Sequence, residues 1–290
     1  MIIAWWSGGI TSAVACKIAL NTYDNVKVVM LDTMNEHEDT YRFLSDCEKW
    51  YGCKIDIYKN PKYNSIEEVW YKFKSLASAT GAICSTELKQ QARQLYCKEN
   101  NVTGHVFGFE NDPKEINRAN NFTKHNEGLT VFYPLIEQRI NKVQAKQIVI
   151  DAGLEIPVVY DMGYNNNNCN LSGCTMGGLG YWEKIRKEEP FKYNRMAQLE
   201  HDLSELKGEP VVICHNQAKD RVITKWDKSK KTGKSYSKSK LFLRFNPMFP
   251  EIPTADTVKG RHESVFECNG FCGIDENQID FLELMEMQNE

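Results

Sequence analysis

The sequence predicts an α/β protein built on a doubly wound parallel sheet. Short apolar runs typical of buried strands alternate with amphipathic segments through about residue 110. A glycine pair follows the first apolar run after a single serine, where a strand would turn into a helix. The composition is that of an ordinary globular protein, 41% hydrophobic and 26% charged over 290 residues. Such alternation favours parallel strands that are covered by helices on both faces.

The predicted elements follow from apolar spacing and from turn residues along the chain. Strands are predicted at residues 2–6, 26–33, 54–58 and 104–110. Helices are predicted at residues 11–20, 38–52, 65–79, 85–100 and 142–157, with a long polar helix ending near Lys207. Ser85 is the expected N-cap of the fourth helix, and Gly153 and Pro157 are expected to close the fifth.

Charge and cysteine content narrow the classes of function. The net charge of −3 gives the whole chain no strong attraction to nucleic acids or membranes. The first residues contain neither a basic leader nor a long apolar run, so we expect no signal peptide, no membrane span and a cytoplasmic location. Ten cysteines in a chain of this length favour metal or thiol chemistry over a disulfide scaffold.

Residues 7–12, Ser-Gly-Gly-Ile-Thr-Ser, predict a site for a phosphate group. Gly8 and Gly9 let the backbone turn tightly and approach an anion closely. The amides at the start of the following helix point at that anion, and Ser7, Thr11 and Ser12 add hydroxyl groups. The segment has no lysine and is therefore not the mononucleotide P-loop. A tight turn without a ligand is the alternative interpretation.

The same segment resembles the PP-loop of the ATP pyrophosphatases, within the adenine nucleotide alpha-hydrolase-like superfamily. Other segments are similar to the phosphoadenosine phosphosulfate (PAPS) reductase-like branch, in the same order along the chain. They are "LDT" at 31–33, "CSTELK" at 84–89, "GFENDPKEINRA" at 108–119 and the stretch at 133–169. In the third of these, Glu110 stands where Arg is usual. The resemblance covers roughly residues 3–200.

This resemblance implies a site for an adenine nucleotide, either ATP or PAPS, and for Mg²⁺. The residues expected to bind the nucleotide are Ser7, Gly8, Gly9, Thr11, Ser12, Asp32, Thr33 and Gly108. Lys89 and Arg118 are expected to neutralise charge as a phosphoanhydride or sulfate bond breaks. Asp32 is expected to hold a ribose hydroxyl or Mg²⁺. The alternatives are surface ion pairs for Lys89 and Arg118 and a helix N-cap for Asp32.

Two close cysteine pairs are candidate metal ligands. Cys169 and Cys174 are separated by four residues, and Cys268 and Cys272 by three, so together they supply four thiolates for one ion. The resemblance to iron–sulfur members of the branch adds Cys84, which leaves five candidates for four positions. A structural Zn²⁺, an iron–sulfur cluster, one free nucleophilic thiol and unligated cysteines all remain open.

The C-terminal segment "FECNGFCGID" resembles the Glu-Cys-Gly-Ile/Leu-His motif of the true reductases, where the cysteine attacks the sulfur of the sulfonucleotide. The match implies that Cys272 is catalytic, while Asp275 stands in place of the motif's His. We expect the C-terminal third to pack back on the sheet and to bring Cys268 and Cys272 toward the other pair.

Two regions are therefore predicted: a nucleotide-binding domain at residues 1–165 and a cysteine-containing region at 166–290. The second includes a basic stretch, 219–244, with ten Lys or Arg residues. This stretch is interpreted either as a solvated loop or as a contact for the phosphates of a nucleic acid.

Three functions are compatible with these features. The first is an enzyme for sulfonucleotide reduction, with a thioredoxin-like reductant, or for ATP-dependent adenylylation or sulfur transfer, with a sulfur donor. The second is a nucleic-acid modification enzyme of the same superfamily that uses the basic stretch. The third is a nucleotide-binding, metal-stabilised module without catalysis.

Overall fold

The computed structural model describes residues 1–78, 81–167, 169–216 and 239–258. Most of the predicted basic stretch, as well as Cys268 and Cys272, lies outside these residues. The packing expected for the C-terminal third therefore stays a prediction.

The elements are numbered along the chain. The strands are β1 (Ile2–Trp6), β2 (Val26–Leu31), β3 (Ile55–Tyr58), β4 (Ala77–Ser78), β5 (Gly81–Ala82), β6 (Gly104–Val106), β7 (Val131–Phe132), β8 (Cys214–His215) and β9 (Lys240–Leu241). The α-helices are α1 (Ile10–Thr22), α2 (Glu38–Tyr51), α3 (Ile66–Phe73), α4 (Ile83–Ser85), α5 (Ala92–Glu99), α6 (Pro113–His125), α7 (Pro134–Glu137), α8 (Lys142–Asp151), α9 (Val158–Asp161), α10 (Leu179–Glu188) and α11 (Pro190–Lys207). A π-helix spans Thr86–Gln91 between α4 and α5, and a 3₁₀ turn spans Ala255–Thr257.

The chain divides into two compact units. Among the described residues, the first unit contains Met1–Ile66 and Cys84–Leu171, and the second contains 67–78, 81–83 and the described residues from Ser172 onward. The first unit holds the large sheet, and the second holds α10, α11 and the ribbon of β8 and β9.

The large sheet has five strands in the order β3-β2-β1-β6-β7, and its strand pairs are parallel. β1 lies at the centre, where Ala4 pairs with Val28 on one side and with Val106 on the other. The chain therefore winds outward from β1 in both directions. This places the switch in winding, and the crevice that such a switch creates, between β1 and β6.

Alternate residues of β1 enter two separate cores. Ala4 and Trp6 pack with α1, α2 and α8 on one face, whereas Ile3 and Trp5 pack with residues of α5 and α6 on the other. Strands that are buried on both faces need apolar residues at every position, and for this reason the sequence of β1 is continuously apolar. The predicted doubly wound parallel sheet is confirmed.

Several predicted boundaries differ from the structure. The strand predicted at 104–110 ends at Val106. The helix predicted at 65–79 ends at Phe73, after which Lys74 takes a left-handed conformation with φ of 47°. The prediction for Ser85 is wrong, because the helical segment already begins at Ile83 and Ser85 has helical angles without a capping hydrogen bond.

Two elements that position the site were not predicted. Helix α6 begins after Asp112, whose side chain accepts a hydrogen bond from the Lys114 amide at 2.9 Å, and Pro113 occupies its first turn. These are ordinary start signals for a helix. Strand β7 has only two residues, which is too short for a periodic pattern to reveal.

In the second unit, a buried glutamic acid side chain joins α11 to the β8–β9 ribbon. Glu200 has no exposed surface, and its oxygens accept hydrogen bonds from the backbone amides of Ile213 and Leu243, each at 2.7 Å. Burial raises the pKa of Glu200 to about 8, although the two amides lower it. One side chain thus satisfies a backbone group on either side of the ribbon.

Two of the ten Lys and Arg residues of the basic stretch are described, and both have partners within the second unit. The Lys240 ammonium donates a hydrogen bond to the Pro210 carbonyl at 2.6 Å, and Arg244 donates one to the Asn194 side chain at 3.2 Å. Across the described ranges, no helix combines the length and the apolar character needed to cross a membrane.

Candidate nucleotide site

Residues 7–12 connect β1 to α1 in a turn that is stabilised by hydrogen bonds between its own residues. Gly8 has a φ of 85°, a conformation that glycine adopts without strain. The Ser12 hydroxyl donates to the Gly9 carbonyl at 2.8 Å and accepts from the Ser7 amide and hydroxyl at 3.0 and 3.1 Å. Ser12 is only 3% exposed, so its hydroxyl stabilises the turn and does not face outward.

The turn contains backbone amides that are not used within the turn itself. The Ile10 amide donates to the Tyr160 hydroxyl at 3.2 Å. The amides of Gly8, Gly9 and Thr11 donate to no other group among the described residues. They lie at the N-terminus of a 13-residue helix, beside the switch between β1 and β6. The helix dipole and the unpaired amides together make this place favourable for an anion.

Gly108 forms the second wall of this site. A Cβ atom on Gly108 would lie 2.6 Å from the Cα atom and 2.7 Å from the amide nitrogen of Ser12. The residue after β6 therefore touches the first turn of α1 backbone to backbone, and only glycine allows this approach. Gly108 therefore lies beside residues 7–12, and its role in nucleotide binding stays a prediction.

Asp32 follows β2 at the same edge of the sheet, but its carboxylate is engaged by the protein. It is 1% exposed and accepts hydrogen bonds from the Met34 amide at 2.7 Å and from the Tyr41 hydroxyl at 3.1 Å. The Lys59 ammonium lies 3.3 Å from one of its oxygens. Asp32 does not cap α2, because that position belongs to His37.

Thr33 belongs to a buried cluster of polar side chains and thiols. The Thr33 hydroxyl lies 2.7 Å from the Glu36 carboxylate and 3.4 Å from the Cys169 sulfur. Burial raises the pKa of Glu36, and the nearby Lys89 ammonium lowers it. Burial also raises the pKa of the Cys169 thiol to about 11, with Lys89 and Thr33 lowering it and Glu36 and Cys84 raising it further. Lys89, Cys84 and Cys169 are therefore neighbours at this edge of the sheet.

Arg118 lies on α6, beside the loop that follows β6. Its Nη1 donates to both Glu115 carboxylate oxygens, at 2.6 and 2.8 Å, and the guanidinium covers the Phe109 ring at 5.2 Å. Burial raises the pKa of Glu110, and Lys142 lowers it. Arg118 thus has an ion-pair partner on its own helix, one turn away.

The predicted cysteine site is only partly described, because Cys268 and Cys272 lie outside the described residues. Within the described ranges, no three His, Cys, Asp or Glu residues are grouped closely enough to hold a metal ion. The Cys174 amide donates to the Tyr181 hydroxyl at 3.0 Å. The cysteine site therefore stays a prediction. The predicted Mg²⁺ ligand Asp32 does not fit a cation as it stands, because it already faces the Lys59 ammonium.

Two residues shape the site without having been named as site residues from the sequence. Tyr160 binds the Ile10 amide, and Asn167 binds both the Gly8 carbonyl and the Thr40 hydroxyl. Asn167 lies in a run of asparagines that the sequence marks only as a polar loop. The sequence distance between Asn167 and the loop does not predict their contact, because the two segments come together only in the folded protein.

The structure combines a doubly wound parallel sheet with a glycine-containing loop at the N-terminus of α1. The family model described as the phosphoadenosine phosphosulfate reductase domain matches residues 1–169. The chain therefore belongs to the PAPS reductase domain family, which the sequence motifs indicated.

Among solved structures, the crystal structure of PAPS reductase from Candida auris, in a phosphate complex, is similar to this chain. The two sequences are 17% identical, and the TM-score is 0.43. The match covers 57% of this chain and 78% of that chain. No curated protein matches the chain.

Proposed function

We propose that this chain is an enzyme that binds ATP or PAPS through residues 7–12 and uses it in sulfur chemistry. The reaction is either reduction of a sulfonucleotide or ATP-dependent adenylylation or sulfur transfer. The proposal depends above all on the three amides of Gly8, Gly9 and Thr11 at the N-terminus of α1. They give a phosphate group three donors and the positive end of a helix dipole.

The position of Lys89 supports a reaction at this edge of the sheet. Its charge acts on Glu36 and Cys169, and Cys169 contacts Thr33, which follows β2. A lysine at this place can balance the negative charge that grows on a leaving phosphate or sulfite. The ion pair of Arg118 with Glu115 would have to open before Arg118 could take the same role.

The thiols support sulfur chemistry, but not every thiol can act as the nucleophile. Because the pKa of Cys169 is about 11, its thiol stays protonated at neutral pH and is a poor nucleophile. Cys272, the nucleophile that the family motif implies, lies outside the described residues. In a reductase, a thioredoxin-like protein would supply the electrons.

One departure from the family pattern keeps ATP-dependent chemistry beside reduction. Glu110 lies two residues after Gly108 and stands where an arginine is usual in this family element. A carboxylate attracts the anionic groups of neither nucleotide, so this departure weakens the match to the reductases without choosing between ATP and PAPS. ATP-dependent adenylylation or sulfur transfer is therefore the second candidate beside reduction.

Parallel assays distinguish the two reactions. Sulfite release from PAPS with reduced thioredoxin is measured beside pyrophosphate release from ATP, the latter with candidate sulfur donors and acceptors. Thr11→Val removes a hydroxyl at the anion loop without changing the size of the side chain, and Thr22→Val makes the same change at the exposed far end of α1. We expect Thr11→Val to raise the Kd of the nucleotide roughly 10-fold, because a hydrogen bond to a charged group is lost. Thr22→Val should leave the Kd unchanged.

The outcomes separate the candidates. Sulfite release identifies a reductase, and pyrophosphate release identifies an ATP-dependent transferase. Binding of a nucleotide without either product would show a binding module instead of an enzyme. No binding of ATP or PAPS would overturn the proposal.

A further inference from the structure

We propose that Asn167 is a positioning residue that sets the direction of the Gly9 amide and so makes the phosphate loop able to bind an anion. This inference rests on the proposed function, since it concerns how the same loop holds the phosphate groups of a nucleotide. It assigns a role to a residue that lies far from the loop in the sequence.

Asn167 holds the first peptide of the glycine pair. Its side-chain amide donates to the Gly8 carbonyl at 2.9 Å and to the Thr40 hydroxyl at 3.1 Å. Asn167 is 2% exposed, and Thr40 is fully buried. A carbonyl oxygen only accepts hydrogen bonds, so the group that faces Gly8 must be the NH₂ of the carboxamide.

The direction of the Gly9 amide follows from the geometry of the peptide. The described residues contain no cis peptide bond, and in a trans peptide the C=O and the following N–H point in opposite directions. The Gly8 carbonyl points toward Asn167, so the Gly9 N–H points away from it. Asn167 thus keeps this amide from pointing into the protein interior, where it could not bind an anion.

This peptide needs such a restraint more than any other in the loop. It lies between two glycines, whose free rotation lets the peptide plane turn over at little cost. One face is also closed to larger residues, because a Cβ atom on Gly8 would lie 2.9 Å from Thr40 Cγ2 and 3.3 Å from Asn167 Nδ2. Thr40, at the start of α2, fixes the second hydrogen of the carboxamide and thereby its orientation.

The inference predicts an effect on phosphate groups alone. A backbone N–H at a helix N-terminus binds an anionic oxygen and does not contact the base. Losing the correct direction should therefore weaken the binding of ATP while the binding of adenosine stays unchanged. A general loss of structure would weaken both.

Asn167→Asp tests this role without a change in size. The carboxylate cannot donate to the Gly8 carbonyl and instead attracts an amide, so the peptide should turn over and bring the Gly9 N–H inward. We expect the Kd of ATP to rise roughly 10- to 100-fold, the effect of one hydrogen bond to a charged group. The Kd of adenosine, measured by competition, should change less than about twofold.

Asn165→Asp is the matched control, because it adds the same charge two residues away on an exposed side chain. It should raise the Kd of ATP less than about threefold, since solvent screens an exposed charge. A second pair, Thr40→Val and Thr40→Ser, keeps Asn167 and removes or retains its hydroxyl partner. Only Thr40→Val should weaken ATP binding selectively, and this pair decides the matter if Asn167→Asp does not fold.

The results separate the two proposals. Wild-type protein that binds neither ATP nor PAPS would overturn the proposed function. Wild-type protein that binds ATP, with Asn167→Asp and Thr40→Val binding it equally well, would overturn the role of Asn167 alone. Equal losses for ATP and adenosine would also overturn it, because they indicate a structural role only.

Discussion

At the scale of single residues, Gly108 provides the sharpest test of the site. Gly108→Ala would place a methyl group 2.6 Å from the Cα atom of Ser12, where both neighbours are backbone and neither can rotate away. We expect the free energy of unfolding to fall by about 1–3 kcal/mol. The Kd of ATP should rise as well, because the first turn of α1 must move. Urea unfolding and ATP titration measure the two effects.

Gly128→Ala is the control for Gly108→Ala. A Cβ atom on Gly128 meets nothing within 4 Å, but its φ of 95° is strained for alanine. This variant should lose about 1–2 kcal/mol of stability from backbone conformation and keep its affinity for ATP. The proposed packing is contradicted if Gly108→Ala binds ATP as tightly as Gly128→Ala does.

The residues of the site differ in how well the sequence reveals them. The loop at 7–12 could be predicted because its glycines and hydroxyls are contiguous and follow an apolar run. Asn167 and Tyr160 could not, because their role arises from a contact with a segment more than a hundred residues away. Ser12 shows what a motif leaves undetermined. The motif contains its hydroxyl, but only the structure shows that this hydroxyl donates to the Gly9 carbonyl and stabilises the turn.

At the scale of elements, Glu200 decides how α11 holds the ribbon of β8 and β9. Glu200→Gln keeps the size of the side chain but turns an NH₂ group toward one of the two backbone amides that now donate to the oxygens of the carboxyl group. An unpaired buried amide costs about 1–3 kcal/mol. We expect a loss of that order in the free energy of unfolding near pH 5, measured by urea unfolding.

The same variant should alter the pH dependence of stability. The pKa of Glu200 is raised from 4.5 to about 8 in the folded protein, so the folded state keeps this proton over a range in which the unfolded chain releases it. Its contribution to stability is complete below about pH 4.5 and falls as the pH rises toward 8. Glu200→Gln should lack this decline, and the exposed control Glu205→Gln should keep it. A decline of equal size in all three proteins would contradict the assignment.

The elements themselves were predictable where a periodic pattern was long enough. The strands β1 and β2 and the helices α1 and α2 were found within a few residues of their observed ends. The helix predicted at 85–100 includes a π-helical segment at Thr86–Gln91, which carries Lys89. The spacing of apolar residues does not distinguish this segment from an α-helix. β7 was not predicted, because it pairs through only two residues at the edge of the sheet.

At the scale of the whole molecule, the site predicts where a ligand should stabilise the protein. ATP at about 100 times its Kd should raise the free energy of unfolding by about 2.7 kcal/mol. Hydrogen exchange should slow most at the amides of residues 8–12 and at Gly108, in the first unit. Local exchange at β8 and β9, in the second unit, should not change.

Adenosine at the same degree of saturation is the reference for that measurement. It should leave the amides of residues 8–12 less protected than ATP does, because it brings no phosphate to the loop. Protection that ATP distributes evenly over both units, with no maximum at the loop, would contradict the location of the site.

The central position of β1 has a consequence for synthesis on the ribosome. Of the strands in this sheet, β1 is synthesised first, and its second edge is covered only when β6, which begins at Gly104, has also been synthesised. Until then, the growing chain exposes an apolar edge strand that is open to pairing with other chains. The crevice for the anion exists only after this late closure, so nascent chains that are released early should aggregate and should not be rescued by nucleotide.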